Sequence, residues 1–186
     1  MAVASELLTM AEFERLPDRT DRGRQELHHG EVFEMPPAKA IHTKLQDALT
    51  AALDEVIDAD FEVDKEFPFQ PLPEHECWVA DVAVFDRARW DATPGNGYFA
   101  GVPQLVIEVL SPSNSASEML DREQTCLSNG GRQFWLLDPD RRTVKVTTAE
   151  GVTRSFSGTG EIPLDAVGAS QRLSLARIFA AESQLS

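Results

Sequence analysis

The sequence predicts an α/β fold in which a mixed β-sheet is flanked by helices. Residues 41–57 carry apolar side chains at spacings of three and four, the pattern of an amphipathic helix. Residues 78–85 and 104–110 are almost continuously apolar and are bounded by turn residues, as strands buried on both faces are. Helices placed before and after such strands are typical of a sheet with helices packed against it.

The length and composition predict one globular domain over residues 1–186. A chain of 186 residues with 42% apolar side chains can bury one sizeable core. No apolar run reaches the roughly 20 residues that a membrane-spanning helix needs. The N-terminal stretch is acidic, where a signal peptide would be basic. We therefore expect a cytoplasmic protein without a membrane segment.

The first third of the chain predicts a short helix, a hairpin and a strand. Thr9 and Glu12 have the spacing of a capping box, which predicts a helix over residues 10–16. Residues 25–35 alternate around a His29-Gly30 turn and predict a hairpin. Residues 61–69 alternate like a half-exposed strand after the long helix.

The second half of the chain continues with one helix and a series of strands. The sequence Ser-Pro-Ser at 111–113 ends the second apolar run, and a helix is predicted over 115–127 before a Gly-Gly pair. The remaining elements are predicted strands at 134–137, 143–148 and 152–156 and a terminal helix at 173–181.

The charge and the cysteines exclude some classes of function. With 17 basic against 31 acidic residues, the net charge of −14 disfavours tight, non-specific binding to DNA, because such binding depends on neutralising phosphates. Cys77 and Cys126 are far apart and lack the spacing of zinc ligands. A zinc site is therefore not expected, and Cys126 is interpreted as a small core residue.

Two carboxylates interrupt the apolar strands. Asp81 lies inside Trp-Val-Ala-Asp-Val-Ala-Val-Phe and Glu108 inside Gln-Leu-Val-Ile-Glu-Val-Leu. An ionised carboxylate in such a strand costs several kcal/mol unless a cation or hydrogen bonds compensate. One interpretation is that the pair shares Mg²⁺ or Mn²⁺, which prefer oxygen ligands. The other is that each carboxylate is paired with an arginine or accepts backbone N–H groups.

The order of motifs along nearly the whole chain resembles the Uma2 family, a family of restriction-endonuclease-like proteins in the PD-(D/E)xK nuclease-like superfamily. The motifs are a Glu-Leu-x-x-Gly-Glu-x-x-Glu-Met hairpin at 26–35, a helix opening with His42, Asp81-Val82, Glu-Val-Leu-Ser-Pro-Ser at 108–113, and Gly-x-x-x-aromatic-Trp-x-x-Asp-Pro at 130–139. The segments at 108–113 and 134–139 are the most specific parts.

The resemblance implies a restriction-endonuclease-like core of αβββαβ type and a metal-dependent endonuclease acting on DNA. It implies that Asp81 and Glu108 bind Mg²⁺ or Mn²⁺, that the backbone carbonyl of Val109 completes the site, and that Glu26 is a third acidic candidate. Domains of this kind commonly present two sites to two strands, so a homodimer is expected.

The chain departs from the family pattern at four positions, one of which is Cys126, where Uma2-like sequences have a tyrosine four residues after a lysine. Ala80 replaces a proline before the motif aspartate, and Leu110 stands where the superfamily has a lysine. The lysine of Uma2-like sequences on the following helix corresponds to Arg122. Because an arginine does not lose its proton, Arg122 is predicted to stabilise phosphate charge and not to act as an acid or base.

The sequence allows two interpretations of His42 and two of the function. His42 falls on the inward side of the long helix, where a histidine is more often a hydrogen-bonded core residue than a ligand. A mixed histidine and carboxylate site therefore stays open. The alternative to an endonuclease is a nuclease-like fold that lost its activity with its lysine and acts by binding a partner.

Overall fold

The computed structural model describes residues 7–17, 23–112 and 114–180. The helices are α1 (Met10–Phe13), α2 (Ala40–Asp54), α3 (Arg87–Asp91), α4 (Ala116–Ser128) and α5 (Leu175–Ala180). The strands are β1 (Arg24–His28), β2 (Glu31–Met35), β3 (Phe61–Gln70), β4 (Trp78–Asp86), β5 (Phe99–Ala100), β6 (Leu105–Val109), β7 (Gln133–Asp138), β8 (Thr143–Thr148), β9 (Thr153–Ser157), β10 (Glu161–Pro163) and β11 (Arg172–Ser174).

One mixed sheet of seven strands organises the molecule, in the order β5-β3-β4-β6-β7-β8-β9. Strands β6 and β7 are parallel and are joined through α4, whereas β4 is antiparallel to both of its neighbours. The predicted α/β fold with a mixed central sheet flanked by helices is confirmed. No helix among the described residues is both long and apolar enough to span a membrane.

The two faces of the sheet carry separate apolar clusters. On one face α2 contributes Leu45, Leu49 and Leu53, which pack with α5 and with strand residues such as Val82 and Ile107. On the other face Cys126 of α4 packs with aromatic residues of β3, β4 and β7. Cys126 is buried, as expected for a small core residue.

A separate hairpin, β1–β2, closes one end of β4. Its turn consists of His29 and Gly30, with φ angles of 50° and 74°, which is the type I′ geometry of a two-residue hairpin. The backbone of Leu27 bonds in both directions with that of Cys77, just before β4 begins. The predicted hairpin is confirmed, and this bridge holds Glu26 against the sheet.

The structure corrects several predicted boundaries. The helix predicted over 173–181 begins at Leu175, because residues 172–174 pair with β10 as strand β11. Helix α1 ends at Phe13 and α2 at Asp54, and Ile41 of the predicted apolar stripe is 39% exposed. The short elements α3, β5 and β10 were not predicted. Residues 113 and 181 lie outside the described part of the chain.

Helix α4 begins with a complete capping box. The Ser115 hydroxyl accepts the N–H of Glu118, and the Glu118 carboxylate accepts the N–H of Ser115. We expect Ser115→Ala to lower the free energy of unfolding by about 1 kcal/mol, because an N–H of the first turn loses its partner. Urea unfolding measures this, with exposed Ser128→Ala at the other helix end as the control. Equal stability of both variants would contradict a stabilising cap.

Candidate metal centre

Asp81 and Glu108 lie on neighbouring strands at the centre of the sheet. Strands β4 and β6 are antiparallel, and Val82 pairs with Ile107. Asp81 precedes Val82 and Glu108 follows Ile107, so the two carboxylate residues lie side by side at the end of this pairing. Asp81 is 3% exposed and Glu108 is 6% exposed. The structure therefore confirms that both carboxylates are buried in adjoining strands.

Both oxygens of the Asp81 carboxylate are engaged. Oδ2 accepts the backbone N–H of Val109 at 2.8 Å. Oδ1 lies 3.1 Å from Nε2 of Gln46 and 3.0 Å from Nε2 of His42, both on α2, and 3.7 Å from Nη2 of Arg24. Asp81 thus combines a backbone hydrogen bond with a cluster of polar side chains on its other oxygen. The contribution expected from the Val109 carbonyl stays a prediction.

Arg122 of α4 points inward and binds two carboxylates. Its Nη2 donates to Glu108 at 2.9 Å and to the backbone carbonyl of Val79 at 3.0 Å. Its Nη1 donates to Glu26 at 2.8 Å. Arg122 is only 2% exposed, and Glu26 is fully buried. The structure therefore brings the predicted residues Glu26, Glu108 and Arg122 together in one buried ion-pair network.

The two carboxylates bound to Arg122 have opposite shifts in pKa. Burial raises the pKa of Glu108 to about 8, although Arg122 opposes this shift. Burial also disfavours the charge of Glu26, but Arg122 and a hydrogen bond from His28 outweigh it and hold the pKa of Glu26 below its usual range. Glu26 is therefore the ionised partner of Arg122, and Glu108 needs further positive charge to ionise fully at neutral pH.

A third carboxylate approaches the same place from β3. One ligand atom each from His42, Glu66 and Asp81 lie within 4.8 Å of one another. Gln46 hydrogen-bonds to both carboxylates of this group. His42, the predicted accessory residue, and Asp81 thus meet in a group that sequence reasoning did not complete.

Glu66 joins the group because β3 is distorted there. Its φ angle of 50° is in the left-handed region, which non-glycine residues rarely adopt. Val63 packs on one face of the sheet and Phe67 on the other, although a spacing of four would keep them on one face of a regular strand. The regular alternation predicted for residues 61–69 fails at this point. Only the pairing of β3 with β4, in which Lys65 pairs with Val82 and Phe67 with Ala80 on either side of Glu66, could have revealed it.

The donor set of His42, Glu66 and Asp81 fits a divalent cation. Two carboxylates and one imidazole are suitable ligands for first-row divalent ions, and carboxylates also suit Mg²⁺. The imidazole favours Mn²⁺ over Mg²⁺, which strongly prefers oxygen. The residues present therefore fit a divalent ion, but Asp81 converges with His42 and Glu66, whereas Glu108, its predicted partner, is bound to Arg122.

The net charge of the whole network also favours a bound divalent cation. With all carboxylates and guanidinium groups ionised and His28 and His42 neutral, four carboxylates (Glu26, Glu66, Asp81 and Glu108) face two guanidinium groups (Arg24 and Arg122). Two negative charges remain uncompensated, which is the charge that one divalent ion supplies. The raised pKa of Glu108 is consistent with this deficit.

Comparison with known proteins agrees with the fold. The chain resembles the crystal structure of "a putative nuclease belonging to DUF820" from Anabaena variabilis ATCC 29413, with a TM-score of 0.77 and 24% identity over 94% of this chain and 98% of that one. No curated protein matches the sequence. The model of the Uma2 family, described as "Putative restriction endonuclease", matches residues 10–176. This match spans most of the sequence and all of the buried ion-pair network, and the chain therefore belongs to the Uma2 family.

Proposed function

We propose that the protein is a divalent-metal-dependent endonuclease that hydrolyses phosphodiester bonds in DNA. The observation that carries this proposal is the convergence of His42, Glu66 and Asp81 beside the buried Glu108–Arg122 pair. Burial of several carboxylates with too few cations is costly for stability, and such a cost is typical of a site that binds an ion. The family description and the nuclease-like fold support the same class of reaction.

His42, Glu66 and Asp81 would hold the ion through one ligand atom each. Glu108, the Val109 carbonyl and Glu26 are the further ligands that the family resemblance implies. The cation would activate a water molecule and stabilise negative charge on the phosphate. The Val109 N–H and Gln46 fix the orientation of the Asp81 carboxylate, and Gln46 also fixes that of Glu66.

We assign Arg122 an electrostatic role from inside the protein. Its guanidinium is bound to Glu26, Glu108 and the Val79 carbonyl and is almost fully buried. It orients both carboxylates, and its fixed positive charge contributes to stabilising the charge that develops on the phosphate. An arginine at this position is not a general base, so proton removal from the water falls to a carboxylate of the network.

The test of this function is metal-dependent cleavage of DNA. We expect no cleavage of supercoiled plasmid or single-stranded oligonucleotide in EDTA, and we expect cleavage with Mn²⁺ at lower concentrations than with Mg²⁺. The change in gel mobility of the plasmid and the fragments of the 5′-labelled oligonucleotide measure cleavage under each condition. Cleavage that persists at full rate in EDTA would contradict a metal-dependent mechanism, and a preference for Mg²⁺ would contradict a role of His42 as ligand.

The acidic surface constrains how DNA is bound. At a net charge of −14, binding depends on local basic groups or on a second subunit and should weaken strongly with salt. A homodimer, which would present two sites to two strands, agrees with this requirement. A cytoplasmic location, where DNA is accessible, completes the proposal.

A second candidate function is binding without catalysis. It is favoured by Leu110 in place of the superfamily lysine and by the complete burial of Arg122. Isothermal calorimetry together with the cleavage assay distinguishes the two functions. A binding module would bind DNA in EDTA as well as in Mn²⁺ and would cleave it in neither. The endonuclease predicts that Mn²⁺ binds to the free protein.

A further inference from the structure

Arg24, the first residue of β1, contacts three carboxylates of the candidate metal centre. Its Nε donates to Glu26 at 3.0 Å, its Nη1 donates to Glu66, and its Nη2 lies 3.7 Å from Oδ1 of Asp81. These contacts span 42 residues of sequence for Glu66 and 57 for Asp81, so no local motif predicts them. Arg24 is therefore part of the site, although the sequence did not indicate it.

The contacts of Arg24 overlap with those of a bound ion. Glu66 and Asp81 are two of the three residues whose ligand atoms converge. A guanidinium group uses the same oxygen lone pairs that a metal requires, and its positive charge repels a divalent cation at this distance. Arg24 and the metal therefore compete for the two carboxylates.

Exposure distinguishes Arg24 from the second arginine of the network. The Arg24 side chain is 30% exposed, whereas that of Arg122 is 3% exposed and is held on several sides. Because part of the Arg24 side chain already faces solvent, its guanidinium has a route to water, and its bond to Glu26 lies outside the group of His42, Glu66 and Asp81. The Arg122 guanidinium has no comparable route to solvent, because its side chain is almost completely buried.

We propose that Arg24 is an internal counter-cation that holds Glu66 and Asp81 in the metal-free protein and is displaced from them when the divalent ion binds. This inference rests on the proposed metal-dependent function. It assigns Arg24 the role of setting the metal affinity: its charge stabilises the metal-free site and opposes the ion. Loss of this charge therefore changes stability and metal affinity in opposite directions.

The variant Arg24→Gln tests the proposal. We expect calorimetry to give a dissociation constant for Mn²⁺ at least about tenfold lower than that of the wild type, since a competing charge is removed. Without metal we expect a lower melting temperature, and with saturating Mn²⁺ a larger upward shift than in the wild type. Arg87→Gln is the matched control, because Arg87 is an exposed arginine paired with Glu62 outside the network.

The outcomes separate this inference from the proposed function. If the wild type binds Mn²⁺ and Arg24→Gln binds it equally or more weakly, the role of Arg24 is wrong and the metal site stands. If neither protein binds Mn²⁺, both fail. Circular dichroism establishes that the variant is folded. Should it not fold, Arg24→Met replaces it, because methionine keeps much of the length of the side chain without its charge and must also raise the affinity for Mn²⁺; an unchanged affinity overturns the proposal.

Discussion

Asp81→Asn is expected to abolish Mn²⁺ binding and to lower the rate of DNA cleavage by roughly a thousandfold or more, since the ion supplies several kcal/mol of transition-state stabilisation. Asparagine keeps the shape of the side chain and can still accept the Val109 N–H, so the fold should persist. Removal of one negative charge from a network with excess negative charge should leave the metal-free stability unchanged or higher. Calorimetry, single-turnover cleavage and urea unfolding measure these three quantities.

The matched control for this variant is Asp47→Asn. Asp47 is an exposed carboxylate on α2 that pairs with Lys65 and lies outside the metal group. We expect it to retain Mn²⁺ binding and cleavage at the wild-type level. Equal Mn²⁺ affinity of Asp81→Asn and the wild type would remove Asp81 from the site.

Arg122→Met is expected to lower the free energy of unfolding of the metal-free protein by about 3–5 kcal/mol, because it removes the arginine bound to buried Glu108 and one of the two arginines bound to buried Glu26. Methionine keeps much of the side-chain volume, so the loss reports charge more than packing. The variant Arg122→Met/Glu108→Gln should recover part of the stability, since the residue that has lost its arginine then carries no charge. Urea unfolding at neutral pH measures all three proteins.

Arg87→Met provides the comparison for the stability of Arg122→Met. Arg87 is half exposed and pairs with Glu62, and exposed ion pairs contribute about 0–1 kcal/mol. A loss of less than about 1 kcal/mol in Arg122→Met, similar to this control, would contradict the view that Arg122 holds the buried network together.

The sequence predicts those parts of the site in which a residue conflicts with its neighbours. Asp81 and Glu108 stand out because each is a charged residue inside an apolar strand, and the structure buries both. Arg122 lies three residues after Met119 and four before Cys126, so it shares their buried face of α4. The mixed sheet could also be predicted, because the apolar patterns that distinguish strands from helices can be recognised within short stretches of sequence.

Contacts that depend on strand register cannot be obtained in this way. Glu66 reaches the site only because β3 pairs with β4 and because its backbone adopts a left-handed φ angle. Arg24 and Gln46 meet the same carboxylates from a separate hairpin and from α2. The strand β11 was predicted as part of a helix because a three-residue strand is too short to show a period.

Anomalous diffraction from a crystal soaked in Mn²⁺ tests the central claim most directly. The claim is that the carboxylates at the junction of β3, β4 and β6 are a cation site. It predicts an anomalous peak within about 2.0–2.3 Å of carboxylate oxygens of Asp81 and Glu66 and of Nε2 of His42. A map without a peak there, with Arg24 still bonded to Glu66 and beside Asp81, would contradict it.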